Sequence, residues 1–133
     1  MPRLGAVIDT NVLVFDTFED SDHCEEASSL LDSLEEWFIP SMVVHEYVWA
    51  LRGLGLSFEK ARGKVCEYIL DPRATLVPVE FSDILFSLEY AKSFDEYNDL
   101  VILSIASRRT RRIATFDQKL RKRAERMGIE VLP

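Results

Sequence analysis

The sequence is poor in the residues that build thiolate, disulfide or membrane-spanning structures. Its 133 residues include two cysteines, Cys24 and Cys66, and two histidines, so neither a zinc site nor a thioredoxin-like motif is expected. It lacks an apolar run of the roughly 18 residues that a membrane span needs, and its start lacks the apolar stretch of a secretory signal. With five glycines, five prolines and 47% hydrophobic residues, it is expected to form one globular domain over residues 1–133 in the cytoplasm.

The net charge of −7 hides an uneven distribution. Residues 1–107 carry 7 basic and 20 acidic side chains, whereas residues 108–126 carry 9 basic and 2 acidic ones. An acidic body repels a polyanion, but a basic segment can hold a nucleic acid through its phosphates. The alternative is a solvated face that serves only solubility.

Strand-like and helix-like segments alternate along the whole chain. The apolar patterns predict strands over 5–8, 37–39, 74–79, 112–115 and 129–132, and helices over 23–37, 42–52, 58–70, 82–93, 97–108 and 118–127. Asp22 and Glu25 are spaced as a capping box for the first of these helices. This alternation predicts an α/β fold, with a mostly parallel five-stranded sheet flanked by helices.

Two aspartates follow predicted strands. Asp9 comes directly after the first strand and Asp117 after the fourth. Ligands of parallel sheets bind outside the carboxyl ends of the strands, so both side chains are candidates for a site at that edge. The competing interpretation is helix capping, because aspartate is a favoured N-cap and each residue precedes a helix.

Two further carboxylates stand on apolar lines of predicted helices. Glu46 shares its line with Met42 and Trp49, and Asp99 shares its line with Ile102 and Leu103. A buried carboxylate needs a partner, because an unpaired one costs several kcal/mol. A hard cation with oxygen ligands, Mg²⁺ or Mn²⁺, would neutralise both groups. An arginine brought in by folding is the alternative.

Taken together, four motifs resemble the PIN-domain family of ribonucleases, and in particular its VapC-like toxin branch. The motifs are Val7-Ile8-Asp9-Thr10-Asn11, Glu46 in a helix after Pro40-Ser41, the run from Asp99 to Ala106, and Thr115-Phe116-Asp117. Each motif is weak alone, but the four occur in family-like order and spacing over essentially the whole chain.

The resemblance implies a metal-dependent endoribonuclease that hydrolyses phosphodiester bonds of single-stranded RNA. Asp9, Glu46, Asp99 and Asp117 would be the catalytic residues and the ligands of Mg²⁺ or Mn²⁺, with Asn11 and Thr115 in support. The segment before Asp99 departs from commoner members in its extra acids, of which Asp95 is expected to substitute or assist. The residues expected to bind the RNA backbone are Arg108, Arg109, Arg111, Arg112, Lys119, Lys122, Arg123 and Arg126.

The resemblance also implies partners, and other functions remain open. A toxin would have a cognate antitoxin, and the chain is expected to form a homodimer. One alternative is a non-catalytic PIN-like module that binds a partner in an RNA-processing complex. Another is an aspartyl-phosphate phosphatase, which is disfavoured because Asn11 stands where such enzymes carry a second acid.

Overall fold

A computed structural model describes residues 4–133. Five strands lie within them: β1 (Gly5–Ile8), β2 (Glu36–Pro40), β3 (Ala74–Val77), β4 (Arg112–Ala114) and β5 (Glu130–Leu132). The helices between them are α1 (Thr10–Thr17), α2 (Cys24–Ser33), α3 (Ser41–Gly53), α4 (Phe58–Ile69), α5 (Phe81–Tyr90), α6 (Phe94–Arg109) and α7 (Gln118–Arg126). None of these helices is long and apolar enough to cross a membrane.

The strands form one parallel sheet in the order β3-β2-β1-β4-β5. This confirms the predicted α/β class and the five-stranded sheet flanked by helices. The chain goes from β1 to β2 on one side and reaches β4 on the other, so the strand order reverses between β1 and β4. A crevice for ligands is expected at such a reversal, outside the carboxyl ends of the two strands.

The core lies between the sheet and its helices. All four residues of β1 are buried, as expected for a parallel strand covered on both faces. Hydroxyl groups tie α1 to its neighbours: Thr17 Oγ1 lies 2.5 Å from the Tyr47 hydroxyl of α3, and the Tyr68 hydroxyl of α4 donates to Asp16 at 2.5 Å. Burial raises the pKa of Tyr47 to about 12, so this residue stays a neutral hydrogen-bonding group. These contacts fix α1 and α3 relative to each other.

The predicted helices were wrong in two places. Helix α1 was not among them; it starts directly at Thr10, where Asp9 accepts a hydrogen bond from the backbone amide. The helix predicted over 23–37 ends at Ser33, and the chain re-enters the sheet at Glu36. The N-cap of α2 is His23, which makes no side-chain capping hydrogen bond. The predicted Asp22–Glu25 capping box is therefore not formed at the start of this helix.

The remaining helices agree with the predictions apart from their ends. Ser57 caps α4 by accepting the Lys60 amide, as its position before the helix indicates. Helix α6 begins three residues earlier than predicted, at Phe94, because Ser93 caps it through the Glu96 amide.

Candidate active site

A cleft of about 330 Å³ opens at the carboxyl edge of the sheet, where β1 and β4 end side by side. Its walls include all four predicted carboxylates, Asp9, Glu46, Asp99 and Asp117. Asp9 follows β1 and Asp117 follows β4 by three residues, while α3 and α6 supply Glu46 and Asp99. The fold therefore brings together side chains that are up to 108 positions apart in the sequence.

Asp9 is held by a set of hydrogen bonds from its neighbours. Its Oδ1 accepts the backbone amide of Thr10 at 2.8 Å. Its Oδ2 accepts the Thr115 hydroxyl at 2.7 Å and the Asn11 side-chain amide at 3.1 Å. Asn11 also accepts the backbone amide of Phe116 at 3.1 Å. The structure thus places both predicted supporting residues directly against Asp9, where they fix the orientation of its carboxylate.

Thr115 connects the two aspartates that follow strands. It is fully buried, and its hydroxyl donates to Asp9 while accepting the backbone amide of Asp117 at 3.1 Å. Asp117 caps α7, because its Oδ1 accepts the amides of Lys119 and Leu120. Capping and a place in the cleft are therefore compatible, since these amides occupy only Oδ1 of Asp117.

Glu46 was selected because the apolar residues on its face of the helix indicated a buried carboxylate. That expectation is wrong, because this face of α3 is not buried. Trp49, on the same line, is 62% exposed, and Glu46 is itself exposed. Glu46 makes no ion pair with any residue between 4 and 133. This part of α3 faces the open cleft, so the carboxylate stands beside the other acids and keeps access to water.

Asp99 forms an ion pair with a basic side chain of the same domain. The Arg123 side chain of α7 donates a hydrogen bond from Nη1 to Asp99 Oδ2. Its Nη2 also lies 3.9 Å from Glu96 Oε2, one helical turn before Asp99 on α6. Of the two neutralising partners considered for Asp99, a cation or an arginine, the structure shows an arginine.

The cleft is electrostatically unfavourable when all its acids are ionised. Burial raises the pKa of Asp9, and the charges of Asp117 and Asp99 raise it further, against the lowering effect of the Thr115 and Thr10 hydrogen bonds. Partial desolvation, Asp9 and Asp99 raise the pKa of Glu46. Burial raises the pKa of Asp99 despite the opposing hydrogen bond from Arg123. A bound cation would relieve this mutual repulsion.

The donor set fits a hard divalent cation that keeps part of its water shell. The four carboxylates offer only oxygen ligands, as Mg²⁺ and Mn²⁺ prefer. The Thr10 hydroxyl in the cleft wall is buried and makes no regular hydrogen bond within residues 4–133, but its closeness to Glu46 acts to lower the pKa of that carboxyl against the raising effect of burial. Among these residues no three acidic, histidine or cysteine side chains enclose a ready-made metal cage. Mg²⁺ rarely needs such a cage, because it usually binds one or two carboxylates, several waters and substrate phosphates.

The basic residues expected to bind RNA separate into different places. Arg108 is directed inward, where its guanidinium makes two hydrogen bonds to Asp83, a carboxylate with no exposed surface. Arg112 pairs with Glu130 of β5, and the guanidinium of Arg109 lies over the Phe38 ring. Arg109, Arg111 and Arg112 precede β4 or begin it, so they lie at the amino edge of the sheet, about 10 Å along the strand from the cleft, whereas Arg108 also donates to the carbonyl of Pro78 just after β3.

The basic residues of α7 lie closer to the cleft. Lys119 and Lys122 are exposed on this helix, which starts directly after Asp117. Arg123 reaches the cleft through Asp99, and Arg126 ends the helix. Helix α7 is amphipathic, with Leu120 and Ala124 buried on the side opposite these basic residues.

Sequence reasoning missed two features of the cleft. The Thr10 hydroxyl was not singled out, although its position between Asp9 and Asn11 could have suggested it. The imidazole of His23 stacks on the Phe116 ring with centroids 4.9 Å apart, and Phe15 packs against both rings. Phe15 also lines the cleft, so this aromatic cluster supports one of its walls.

Comparisons with known proteins agree with this architecture. The sequence matches the family model of the PIN domain over residues 6–126. Among solved structures, Mycobacterium tuberculosis VapC20, described as a sarcin–ricin loop cleaving toxin, aligns with a TM-score of 0.75 and 13% identity, covering 89% of this chain and 94% of its own.

Two further structures show the same fold. FitAcB of Neisseria gonorrhoeae aligns with a TM-score of 0.66 and 20% identity over 96% of both chains. The PIN domain endonuclease Utp24 aligns with a TM-score of 0.57 and 21% identity over 98% of this chain and 85% of its own. No curated protein sequence matches the chain. At these identities the structural likeness shows the fold alone.

Proposed function

The chain belongs to the PIN-domain family, and from this membership and the acidic cleft we propose that it is a metal-dependent endoribonuclease that hydrolyses phosphodiester bonds of single-stranded RNA. PIN domains are nucleases, and neighbours of this fold include a toxin and an endonuclease. We further propose that the chain is the toxin of a toxin–antitoxin pair. The observation that carries the proposal is the convergence of Asp9, Glu46, Asp99 and Asp117 on one cleft at the strand-order reversal.

Asp9 and Asp99 would hold the cation, and Glu46 or Asp117 would hold a second one. A bound Mg²⁺ or Mn²⁺ supplies an activated water and neutralises charge that develops on the phosphate. Asp95, exposed on the first turn of α6, adds negative charge near Asp99. We retain it as an assisting residue.

The chain's own side chains prepare the cleft for that chemistry. Thr115 and Asn11 hold the Asp9 carboxylate in one orientation, which spares the protein the entropy cost of ordering it during the reaction. None of the four acids is required to transfer a proton in this scheme. Together they repel a phosphate when no cation is present, so cation binding must precede productive RNA binding.

The RNA surface that we propose is narrower than the sequence suggested. Lys119 and Lys122 lie nearest the cleft with exposed side chains, and Arg126 extends the same helix. Arg109, Arg111 and Arg112 could reach only nucleotides that pass around the amino edge of the sheet. Arg108 is left out, because its guanidinium is committed to Asp83.

A cognate antitoxin is proposed as the natural inhibitor. An acidic cleft on a chain of net charge −7 favours a basic inhibitor, whose arginine side chains could enter the cleft as a cation does. A reading frame for a small basic or DNA-binding protein next to the gene, whose product copurifies with this chain and blocks cleavage, would support this part of the proposal.

A homodimer is proposed through the outer face of α5. This helix is reversed compared with an ordinary amphipathic helix: Asp83 and Ser87 are buried, while Phe81, Leu85 and Leu88 are 76%, 52% and 64% exposed. Phe94 adds a ring that is 95% exposed. At about 200 Å² per large side chain, this face offers several hundred Å², on the order of the 800 Å² that each partner contributes to a standard interface.

Cleavage of a mixed-sequence single-stranded RNA tests the proposal. Purified protein is expected to cleave it with Mn²⁺, and to lose activity with EDTA and in Asp9→Asn and Asp99→Asn. Glu89→Gln, which removes an exposed carboxylate of α5, is the matched control and should cleave normally. A folded protein that binds Mn²⁺ but cleaves no RNA in a large random-sequence pool would overturn the nuclease proposal and favour a non-catalytic binding module.

A further inference from the structure

Arg123 is the only basic side chain among residues 4–133 that pairs with one of the four cleft carboxylates. It extends from the middle of α7 to Asp99 on α6, and the side chains of both residues are largely shielded from solvent, with 23% and 17% exposed. A charged hydrogen bond in such a setting is stronger than a surface ion pair, because water screens it less. The contact therefore competes seriously with any other ligand of Asp99.

We propose that Arg123 is a built-in counterion that occupies Asp99 in the cation-free protein and has to release it when a divalent cation binds. The inference rests on the proposed function only in assuming that a divalent cation binds to Asp99. The guanidinium covers Oδ2 of Asp99. A cation on the other oxygen would still lie within a few ångströms of a like charge, which repels it. Arg123 thus lowers the cation affinity of the cleft.

The structure also contains a second position for the guanidinium. Glu96 lies one turn before Asp99 on the same face of α6, and its Oε2 is already 3.9 Å from Arg123 Nη2. A small side-chain rotation would move the guanidinium from Asp99 to Glu96 without moving either helix. Glu96 is not among the residues that line the cleft. In this inference it serves as the alternative ion-pair partner of the displaced Arg123.

Mn²⁺ titration followed by the electron paramagnetic resonance signal of the free ion tests the inference without any RNA. Arg123→Gln should bind Mn²⁺ about tenfold more tightly than the wild type, because the competing charged hydrogen bond is gone. Arg123→Lys keeps the charge and should stay closer to the wild type. Arg62→Gln removes an exposed charge from α4, outside the cleft and the proposed RNA surface, and should change the affinity less than about twofold.

Glu96→Gln separates the second position from a general charge effect. In the wild-type background this change should weaken Mn²⁺ binding, because Arg123 loses its alternative partner. In the Arg123→Gln background the same change should have a much smaller effect, since no arginine remains to be displaced. An equal effect in both backgrounds would show that Glu96 acts only by its charge and would overturn the two-position part of the inference.

The outcomes distinguish this inference from the nuclease proposal. Tighter Mn²⁺ binding by Arg123→Gln without RNA cleavage by any variant would support the counterion and overturn the proposed activity. Unchanged or weaker Mn²⁺ binding by a folded Arg123→Gln protein would overturn the counterion, even if the wild type cleaves RNA. Circular dichroism and thermal melting of each variant establish that it is folded.

Discussion

Replacing Arg108 by glutamine separates the structural role of this residue from the RNA-binding role that its place in a basic segment suggests. Asp83 has no exposed surface, and its carboxylate accepts bonds from Arg108 Nε at 3.0 Å, Arg108 Nη2 at 2.8 Å, Ser104 Oγ at 2.7 Å and the Glu80 amide at 2.9 Å. Arg108→Gln removes the only countercharge within hydrogen-bonding distance of Asp83 among residues 4–133. The carboxylate then keeps only neutral donors.

The size of the effect follows from burial. Removing one partner of a fully buried ion pair costs about 3–5 kcal/mol, because the other charge is left uncompensated. The Arg108 side chain is 28% exposed, so water reaches this end of the pair and the cost falls to about 2–3 kcal/mol. For a domain of this length that corresponds to a decrease of about 10 °C in Tm.

Urea unfolding followed by circular dichroism measures this free energy, and a parallel titration with single-stranded RNA measures affinity. Arg108→Gln should lose stability and keep its RNA affinity. Lys119→Gln is the comparison variant with the opposite expected result. Because the Lys119 side chain is exposed, its replacement should change the free energy of unfolding by less than about 0.5 kcal/mol but should weaken RNA binding. A loss below about 1 kcal/mol in Arg108→Gln, together with weaker RNA binding, would refute the inward role and restore the interpretation from sequence.

The pH dependence adds an internal check on the same variant. Burial alone would raise the pKa of Asp83, but the hydrogen bonds from Arg108 hold it below its ordinary value of 3.8. A lowered pKa in the folded state means that the pair stabilises the protein above that value and that this contribution is lost as the pH falls through the folded pKa. The difference in stability between wild type and Arg108→Gln should therefore shrink below about pH 4.

Three further expectations follow from the cleft and from α5. Burial raises the pKa values of Asp9, Glu46 and Asp99, so the stability that their protonated forms contribute is present below their ordinary values of 3.8 to 4.5 and is lost as the pH rises through the folded pKa values. The cation-free protein should therefore have a higher Tm at about pH 5 than at about pH 7.5, and Mn²⁺ should raise Tm more at the higher pH. An equal Mn²⁺ effect at both values would contradict this. Thr115→Val, which removes the donor to Asp9 Oδ2, should cost about 2 kcal/mol near neutral pH and less in acid, whereas Thr115→Ser, which keeps the hydroxyl, should show a loss that does not vary with pH in urea unfolding. Leu85→Glu should convert the proposed dimer to a folded monomer in sedimentation velocity, and an unchanged sedimentation coefficient would exclude this face as the interface.

Local sequence was enough to place two of the four acids. The apolar run before Asp9 can only be a buried strand in a chain of alternating strands and helices, and parallel strands present their carboxyl ends at one edge. The same logic applies to Asp117 after β4. Helix α1 escaped prediction because its apolar residues lie on every side, so it carries no amphipathic signal over Thr10–Thr17.

Glu46 and Asp99 were identified by an argument that only partly describes them. Both were singled out as carboxylates on apolar helix lines that need a neutralising partner. Asp99 is indeed largely shielded and has such a partner in Arg123, but Glu46 is exposed at the cleft and Trp49, on the same line, is exposed outside it. Helical periodicity identifies which residues share a face, but it does not tell whether that face meets the core or an open crevice.

The sequence by itself determined the α/β class, the parallel sheet and the carboxyl edge at which Asp9 and Asp117 meet, because strand burial and chain alternation are local patterns. Only the tertiary structure decided which charges pair. Arg108 and Arg123 occur in the same basic segment, yet one is directed to Asp83 and the other to Asp99. The reason is physical. An arginine side chain can contact only the acids on the helix that packs beside its own helix, and that packing is determined by residues distant in the sequence.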